Sequence, residues 1–387
     1  MKARLANNEV RLIIADSDTS ADMLYATQFH APDPFVYLEF AGEKAILVSQ
    51  LEIGRARRQA EVDRIFSYAE LEARWLSEHV SRSAASAPNP PRRCEILSLL
   101  LRDLGVSRLI VPESFPLGAA HELEELGFTI TAQPDPFFPE RVVKRPDEIE
   151  KIAAVLRKTE QAMAAAIARI TAAEIADARL IYDGQPLTSE GLRAFIAVRL
   201  MELGCLARNT IVAVGDQGCD PHHAGDGLLR PDTTIVIDVF PRDLVSHYYA
   251  DISRTVVRGR ASDAVHRMYA AVAAAQEVAY RNIRAGVDAS DVHAAVAQSF
   301  LDLGFHNGTD ASSPEGFFHG TGHGLGLELH EAPRLYRHHH TLQAGEVVTV
   351  EPGLYYRGNG AVRLEDLVVV ADGGCRNLTT LPKILEL

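Results

Sequence analysis

Four apolar, strand-like segments in the C-terminal part of this chain each carry a carboxylate: Asp238 in IVIDVF, Asp251 in YADISRT, Glu351 in VVTVEPG and Glu365 in VRLEDL. Burying an unpaired carboxylate costs several kcal/mol, so a fold that hides these strands must supply partners for four acids at once. Each acid alone has an ordinary reading. Asp238 can cap the loop PRDLVS, Glu351 can be a strand-end acid before the Pro352-Gly353 turn, and Arg363 and Glu365 can belong to a surface ion pair with a neighbouring strand. Together they read differently. Asp251 lies on the strand after Asp238, and hairpin pairing can set the two side by side, where they repel unless a cation sits between them. Arg363 and Glu365, two apart on a strand, point to one face, with Leu364 and Asp366 on the other. The apolar flanks AV and LVVV turn that strand inward.

A nitrogen ligand stands nearby. The run His319-Gly-Thr-Gly-His323-Gly-Leu-Gly holds four glycines in eight residues, which lets backbone approach a ligand closely. His330 follows, and His222 and His223 form a further pair in the turn-rich DPHHAGDG. Four carboxylates plus His323 suit two hard divalent ions. Oxygen-rich ligation with one nitrogen favours Mn²⁺, with Co²⁺ or Zn²⁺ as alternatives, and excludes a thiolate site. Two such ions sharing a hydroxide can attack a carbonyl at neutral pH, which points to hydrolysis. His338, His339 and His340, in RLYRHHHTLQ, lack carboxylate company and read as a solvated loop rather than a metal site.

At 387 residues the chain is long enough for two domains. QPDPFFPERVVKRP, with four prolines, marks a boundary and predicts domains at 1–140 and 141–387. Before it, apolar runs such as VRLII, FVYLEF and AILVSQLEI alternate with helical patterns such as YAELEARWLSEHV, an α/β arrangement. After it, Pro146-Asp147 opens a long helix, a second starts at Thr188 or Ser189, and Ser262–Gly286 and Ser290–Gly304 make a further pair. The net charge of −13 argues against nucleic acid as a partner. Cys94, Cys205, Cys219 and Cys375 have no CxxC spacing and read as reduced residues, no run of 18 apolar residues exists, and the N-terminus is polar. No membrane partner and a cytoplasmic location are the resulting expectations.

These residues, in this order, resemble the pita-bread metallopeptidase family, which includes methionine aminopeptidase, aminopeptidase P, prolidase and the metal-free creatinase. The resemblance is strong over 141–387 and weaker over 1–140. RVVKRPDEIEKI is similar to the family's opening into its catalytic domain, and NTIVAVGDQGCDPHH to the strand and loop bearing a catalytic histidine, here His222. The implied fold is α/β (α+β), a small creatinase/prolidase-like N-terminal domain followed by a pita-bread catalytic domain. The implied metal ligands for two divalent ions are Asp238, Asp251, His323, Glu351 and Glu365, with a bridging hydroxide as nucleophile. Glu351 is implied as general base and acid, His222 and His330 as donors to the substrate carbonyl, His319 as the proline-side wall, and Arg363 as an outer-sphere partner of the last Glu. Two departures stand out. DVFPRDLVSHYYAD is longer than the family's usual tight turn between the two Asp ligands, and Arg208 stands where aminopeptidase P-like sequences place a tyrosine. The N-terminal domain argues against methionine aminopeptidase. The missing tyrosine favours an Xaa-Pro dipeptidase (prolidase), as do the cations Arg208, Arg334, Arg337 and Arg357, any of which can clamp a dipeptide carboxylate. The alternatives are aminopeptidase P, acting on longer peptides, and a non-hydrolytic pita-bread binding protein. A small peptide with proline second is the expected substrate, and a homodimer the expected assembly.

Overall fold

The computed structural model describes residues 5–6, 8–79, 90–306, 308 and 314–387. Contacts divide the chain into two units, Met1–Pro139 and Glu140–Leu387. The first unit is a six-stranded mixed sheet with the order β4-β3-β2-β1-β5-β6. Its strands are β1 (Glu9–Ala15), β2 (Phe35–Phe40), β3 (Glu43–Val48), β4 (Arg64–Ser67), β5 (Arg108–Pro112) and β6 (Thr129–Gln133). Helices α1 (Ala21–Thr27), α2 (Ile53–Gln59), α3 (Tyr68–His79), α4 (Arg93–Asp103) and α5 (Leu117–Glu125) intervene. Successive side chains on a strand face opposite ways. Accordingly Leu12, Leu38 and Leu47 pack with Leu97 and Leu101 of α4, while Ile13, Tyr37 and Ile46 pack with Met23, Phe137 and Phe138. A sheet covered on both faces needs apolar residues at nearly every position, which is why these strands read as continuous runs.

The second unit opens on α6 (Pro146–Thr171), with Pro146 in its first turn beside Asp147 and Glu148. Both features suit a helix N-terminus, one by lacking a donor and the other by opposing the dipole. A small meander follows: β7 (Glu174–Ala176), β8 (Arg179–Tyr182) and β9 (Gln185–Pro186). Then α7 (Ser189–Glu202) starts on the Thr188 side chain, which accepts from Gly191 N at 3.0 Å. Next come β10 (Cys205–Leu206), β11 (Ile211–Val214), β12 (Ile235–Val239), β13 (Arg242–Asp243) and β14 (Ile252–Val256). β11, β12 and β14 form one antiparallel sheet, and β10 pairs with β13 inside the long connection between β12 and β14.

Helices α8 (Asp263–Asn282) and α9 (Ala289–Asp302) come next. They are capped by Ser262 and by Asp288, the latter two residues ahead of the expected start at Ser290. The remaining strands are β15 (Gly322–Gly324), β16 (Glu331–Leu335), β17 (Val347–Val350), β18 (Gly353–Tyr356), β19 (Gly360–Arg363), β20 (Asp366–Ala371) and β21 (Gly374–Asn377). The order is β16-β15-β17-β20-β21, with β18 and β19 a separate hairpin. The single strand expected over AVRLEDLVVV is therefore two, broken at Leu364-Glu365. There the backbone leaves one hairpin for another sheet, and Glu365 N donates instead to Ser253 O at 3.1 Å. The apolar faces of α8 and α9 pack on Val348, Val350, Leu364 and Val368, so the acid-bearing strands rest on a dry floor.

Candidate metal centre

The register of β12 and β14 sets the first acids. Asp238 lies opposite Ser253, and Asp251, two residues before Ser253, shares its face. The two aspartates are thus diagonal neighbours on one face, the side-by-side placement that hairpin pairing allows. Asp238 and Asp251 are 8% and 4% exposed, and Glu365 is 2% exposed. Glu365 Oε2 accepts from Ser253 Oγ at 3.0 Å, so one serine holds the last acid against the strand of the first two. Glu351 follows β17, with Oε1 accepting from Thr349 Oγ1 at 3.3 Å. Arg363 and Glu365 do turn to the same side, despite the strand break, and both line one cavity of about 660 Å³. Arg363 donates to Asp238 Oδ2 at 2.7 Å, Ser253 Oγ at 3.0 Å and Tyr355 OH at 3.2 Å.

His323 supplies the decisive detail. Its Nδ1 lies 3.0 Å from the Gly324 carbonyl, which can only accept, so Nδ1 carries the proton. Burial pushes this imidazole down to about 4, so it is neutral at pH 7 and its Nε2 is a bare lone pair. That lone pair faces Glu351 Oε1 at 3.5 Å and Asp251 Oδ2 at 3.8 Å. A lone pair set against carboxylates is repulsive unless a cation lies between them. Donor atoms of Asp251, His323 and Glu365 all fall within 4.8 Å of one another. The buried oxygens Asp238 Oδ1, Asp251 Oδ1 and Glu365 Oε1 have no protein partner. Burial, then the neighbouring carboxylates, hold Asp251 and Glu365 well above the usual carboxylate range, and burial raises Glu351. A donor set that is buried, mutually repulsive and short of donors fits hard divalent ions.

The other expected residues divide. His222 and His330 line the cavity, the His330 ring standing 4.4 Å from that of His323 at 88°. Desolvation in the cavity, then His323 and Arg334, push His330 down to about 4. His319 lines it too, with both nitrogens engaged: Nδ1 with Gly320 O and Nε2 with Tyr355 OH, each at 2.8 Å. Arg208 and Arg357 are exposed and stand off the cavity wall, whereas Arg334 is on it. The reading of 338–340 as a solvated loop fits His339, whose side chain is 89% exposed. It fits His338 as well, which is exposed while lining the cavity, and fails for His340, bonded to buried Glu346. Loops bring distant side chains together without any periodic signature, so these placements have no sequence signal. Tyr355 was missed for another reason. It sits in the apolar run GLYY, and its hydroxyl becomes a site group only because β18 pairs with β19 and sets it beside Arg363. The glycine run serves packing: a Cβ on Gly322 would stand 1.9 Å from Thr349 O, so the close approach is to a neighbouring strand.

A mixed-sheet N-terminal unit and a pita-bread unit with an acid-and-imidazole shell in its cavity define a two-domain pita-bread protein. The chain belongs to Metallopeptidase family M24, which it matches over residues 150–372. It is 30% identical to the Xaa-Pro dipeptidase of Pyrococcus furiosus over 241 residues, 62% of this chain and 63% of that protein, so it spans under two thirds of that relative's length. Among solved structures, the X-Pro aminopeptidase from Thermotoga maritima MSB8 superposes with a TM-score of 0.79 at 23% identity, covering 98% of this chain and 97% of that one. The prolidase from Pyrococcus furiosus superposes with 0.76 at 22%, covering 97% of each. These two likenesses show the fold, an N-terminal domain followed by a pita-bread domain.

Proposed function

We propose that this chain is a dinuclear-metal Xaa-Pro dipeptidase. The observation that carries the reading is the bare Nε2 of His323 facing Glu351 and Asp251, with buried oxygens of Asp238, Asp251 and Glu365 nearby that have no protein donors. Asp238, Asp251, His323, Glu351 and Glu365 would hold two divalent ions, Mn²⁺ by ligand preference with Co²⁺ or Zn²⁺ as alternatives. Bound there, such ions supply a water acidic enough to act as nucleophile at neutral pH and polarise the scissile carbonyl.

The chain's own groups do the rest. Glu351, whose side chain is 21% exposed, is the acid most open to the cavity and is suited to take the nucleophile's proton and return it to the leaving nitrogen. His330, neutral at pH 7, and His222 can each offer one N–H to the carbonyl oxygen as charge develops on it. Arg363 holds Asp238 and, through Tyr355, the ring of His319. With both nitrogens occupied, His319 offers substrate only its ring, which suits proline, a residue that brings no N–H. Of the four arginines offered for a dipeptide's terminal carboxylate, Arg334 is the one on the wall, where His338 also lies, while Arg208 and Arg357 stand off it. One observation favours aminopeptidase P action on longer peptides as a second reading: a tyrosine hydroxyl, that of Tyr355, does stand in the site. A homodimer in the cytoplasm completes the proposal; its four cysteines, all unpaired, suit a reducing compartment, and among the described residues no helix is long and apolar enough to cross a membrane. Elemental analysis after Mn²⁺ loading and desalting tests the reading. About two ions per chain are expected for a bimetallic site, and a metal-free protein would remove it.

A further inference from the structure

One side chain outside the cavity touches the backbone behind two of the acids. Gln276 lies on the buried face of α8 among Met268, Val272, Ala275 and Ala279 and is 0% exposed. A polar side chain in so apolar a place is costly unless it is bonded. Its Nε2 donates to Val350 O at 2.9 Å and to Leu364 O at 3.2 Å. Both partners are carbonyls, so the NH₂ end must be the end that faces them. Its Oε1 has no protein partner. The side chain is held at its donor end alone.

Those two carbonyls are the ones immediately before Glu351 and Glu365. The peptide group joining Val350 to Glu351 therefore has its C=O fixed by Gln276 and its N–H fixed by Thr321 O at 2.8 Å. The peptide group joining Leu364 to Glu365 has its C=O fixed by the same amide and its N–H fixed by Ser253 O at 3.1 Å. Each glutamate thus leaves a peptide plane pinned on both edges, and one NH₂ group is common to both. β17 and the Leu364-Glu365 break belong to different stretches of backbone, and Gln276 ties them at the point where their acids turn into the cavity.

Resting on the metal reading above, we propose that Gln276 is a positioning residue that sets the spacing of Glu351 and Glu365 for metal binding. Outer-shell partners of this kind change metal affinity by about 10- to 100-fold. The test is Mn²⁺ binding by calorimetric titration, with the melting temperature of the metal-free protein measured in parallel. The variants are Gln276→Met, Gln276→Asn and Val272→Ala. Met keeps the volume and removes both donors. Asn keeps the donors but is one methylene too short to span the two carbonyls, and it carries the test if the Met variant does not fold. Val272→Ala loosens the same buried helix face without touching either peptide group.

Both Gln276 variants are expected to bind Mn²⁺ at least about tenfold more weakly than the parent, on the scale of an outer-shell loss. Val272→Ala should lower the melting temperature and leave Mn²⁺ affinity within about twofold. Gln276 variants with parental affinity would overturn the proposal. So would a loss of affinity in Val272→Ala equal to theirs, because general loosening would then account for it. A parent that takes up no Mn²⁺ would instead overturn the metal reading on which the proposal rests.

Discussion

His323, His330 and His222 line one cavity in two kinds of surroundings, and substitution should separate them. His323 has a bare Nε2 among carboxylates, so His323→Ala should lose bound metal as well as rate. His330 and His222 line the wall outside the proposed ligand set. His330→Ala and His222→Ala should each lower kcat by roughly 10²- to 10³-fold, the scale for one lost oxyanion donor, with metal content unchanged. Elemental analysis and steady-state rates on the three variants make the comparison. Metal lost from His330→Ala and retained in His323→Ala would mean the roles are reversed. Arg334 is tested differently. As the clamp for a terminal carboxylate, its loss in Arg334→Met should raise KM for a dipeptide by about 10- to 100-fold, the worth of one charged hydrogen bond, with little change in kcat. An unchanged KM would remove it from substrate binding.

At the scale of elements, the site depends on strands packed too closely for side chains. Gly322→Ala would set a Cβ 1.9 Å from the Thr349 carbonyl across to the end of β17. It should destabilise the protein by about 1–3 kcal/mol, visible as a lower melting temperature, unless the strand moves. Helix α9 contributes His293, whose Nδ1 meets Thr321 Oγ1 at 2.9 Å and whose ring meets those of Phe317 and Tyr336. Burial, then Arg337, pulls this imidazole down to about 4. A free imidazole titrates near ~6.5, so protons favour the unfolded chain, and the stability present above that value is lost as pH falls towards 4. His293→Phe should flatten that part of the stability–pH curve; a parental slope would show that His293 does not titrate there. The elements themselves were largely legible. A carboxylate in an apolar strand is costly enough to announce its site, and Pro146-Asp147 announced α6. What could not be read was where loop side chains point. Arg208 and Arg357 have the right charge and stand off the cavity, whereas His338 was set aside and lines it. Tyr355 and Gln276 were hidden in apolar runs, because their polar ends matter only through strand and helix contacts made far along the chain.

For the whole molecule, the net charge of −13 includes four acids around one cavity, three of them buried, that repel one another. Two divalent ions would bring −13 to −9 and relieve that repulsion where it is strongest. Mn²⁺ should therefore raise the melting temperature of the unit spanning Glu140–Leu387, by about 2.7 kcal/mol in stability at a hundredfold excess over Kd, and EDTA should reverse it. A melting temperature indifferent to both would contradict a site in the folded state. The substrate assignment rests on a cavity whose wall carries Arg334 for a terminal carboxylate and the ring of His319 for proline. The measurement that tests it most directly is kcat/KM of the Mn²⁺-loaded protein for an Xaa-Pro dipeptide beside the same peptide extended by one residue, followed by release of the residue before proline. The account predicts efficient cleavage of the dipeptide and poor cleavage of the tripeptide, and tripeptide turnover equal to or better than the dipeptide's, or no cleavage of either, would contradict it.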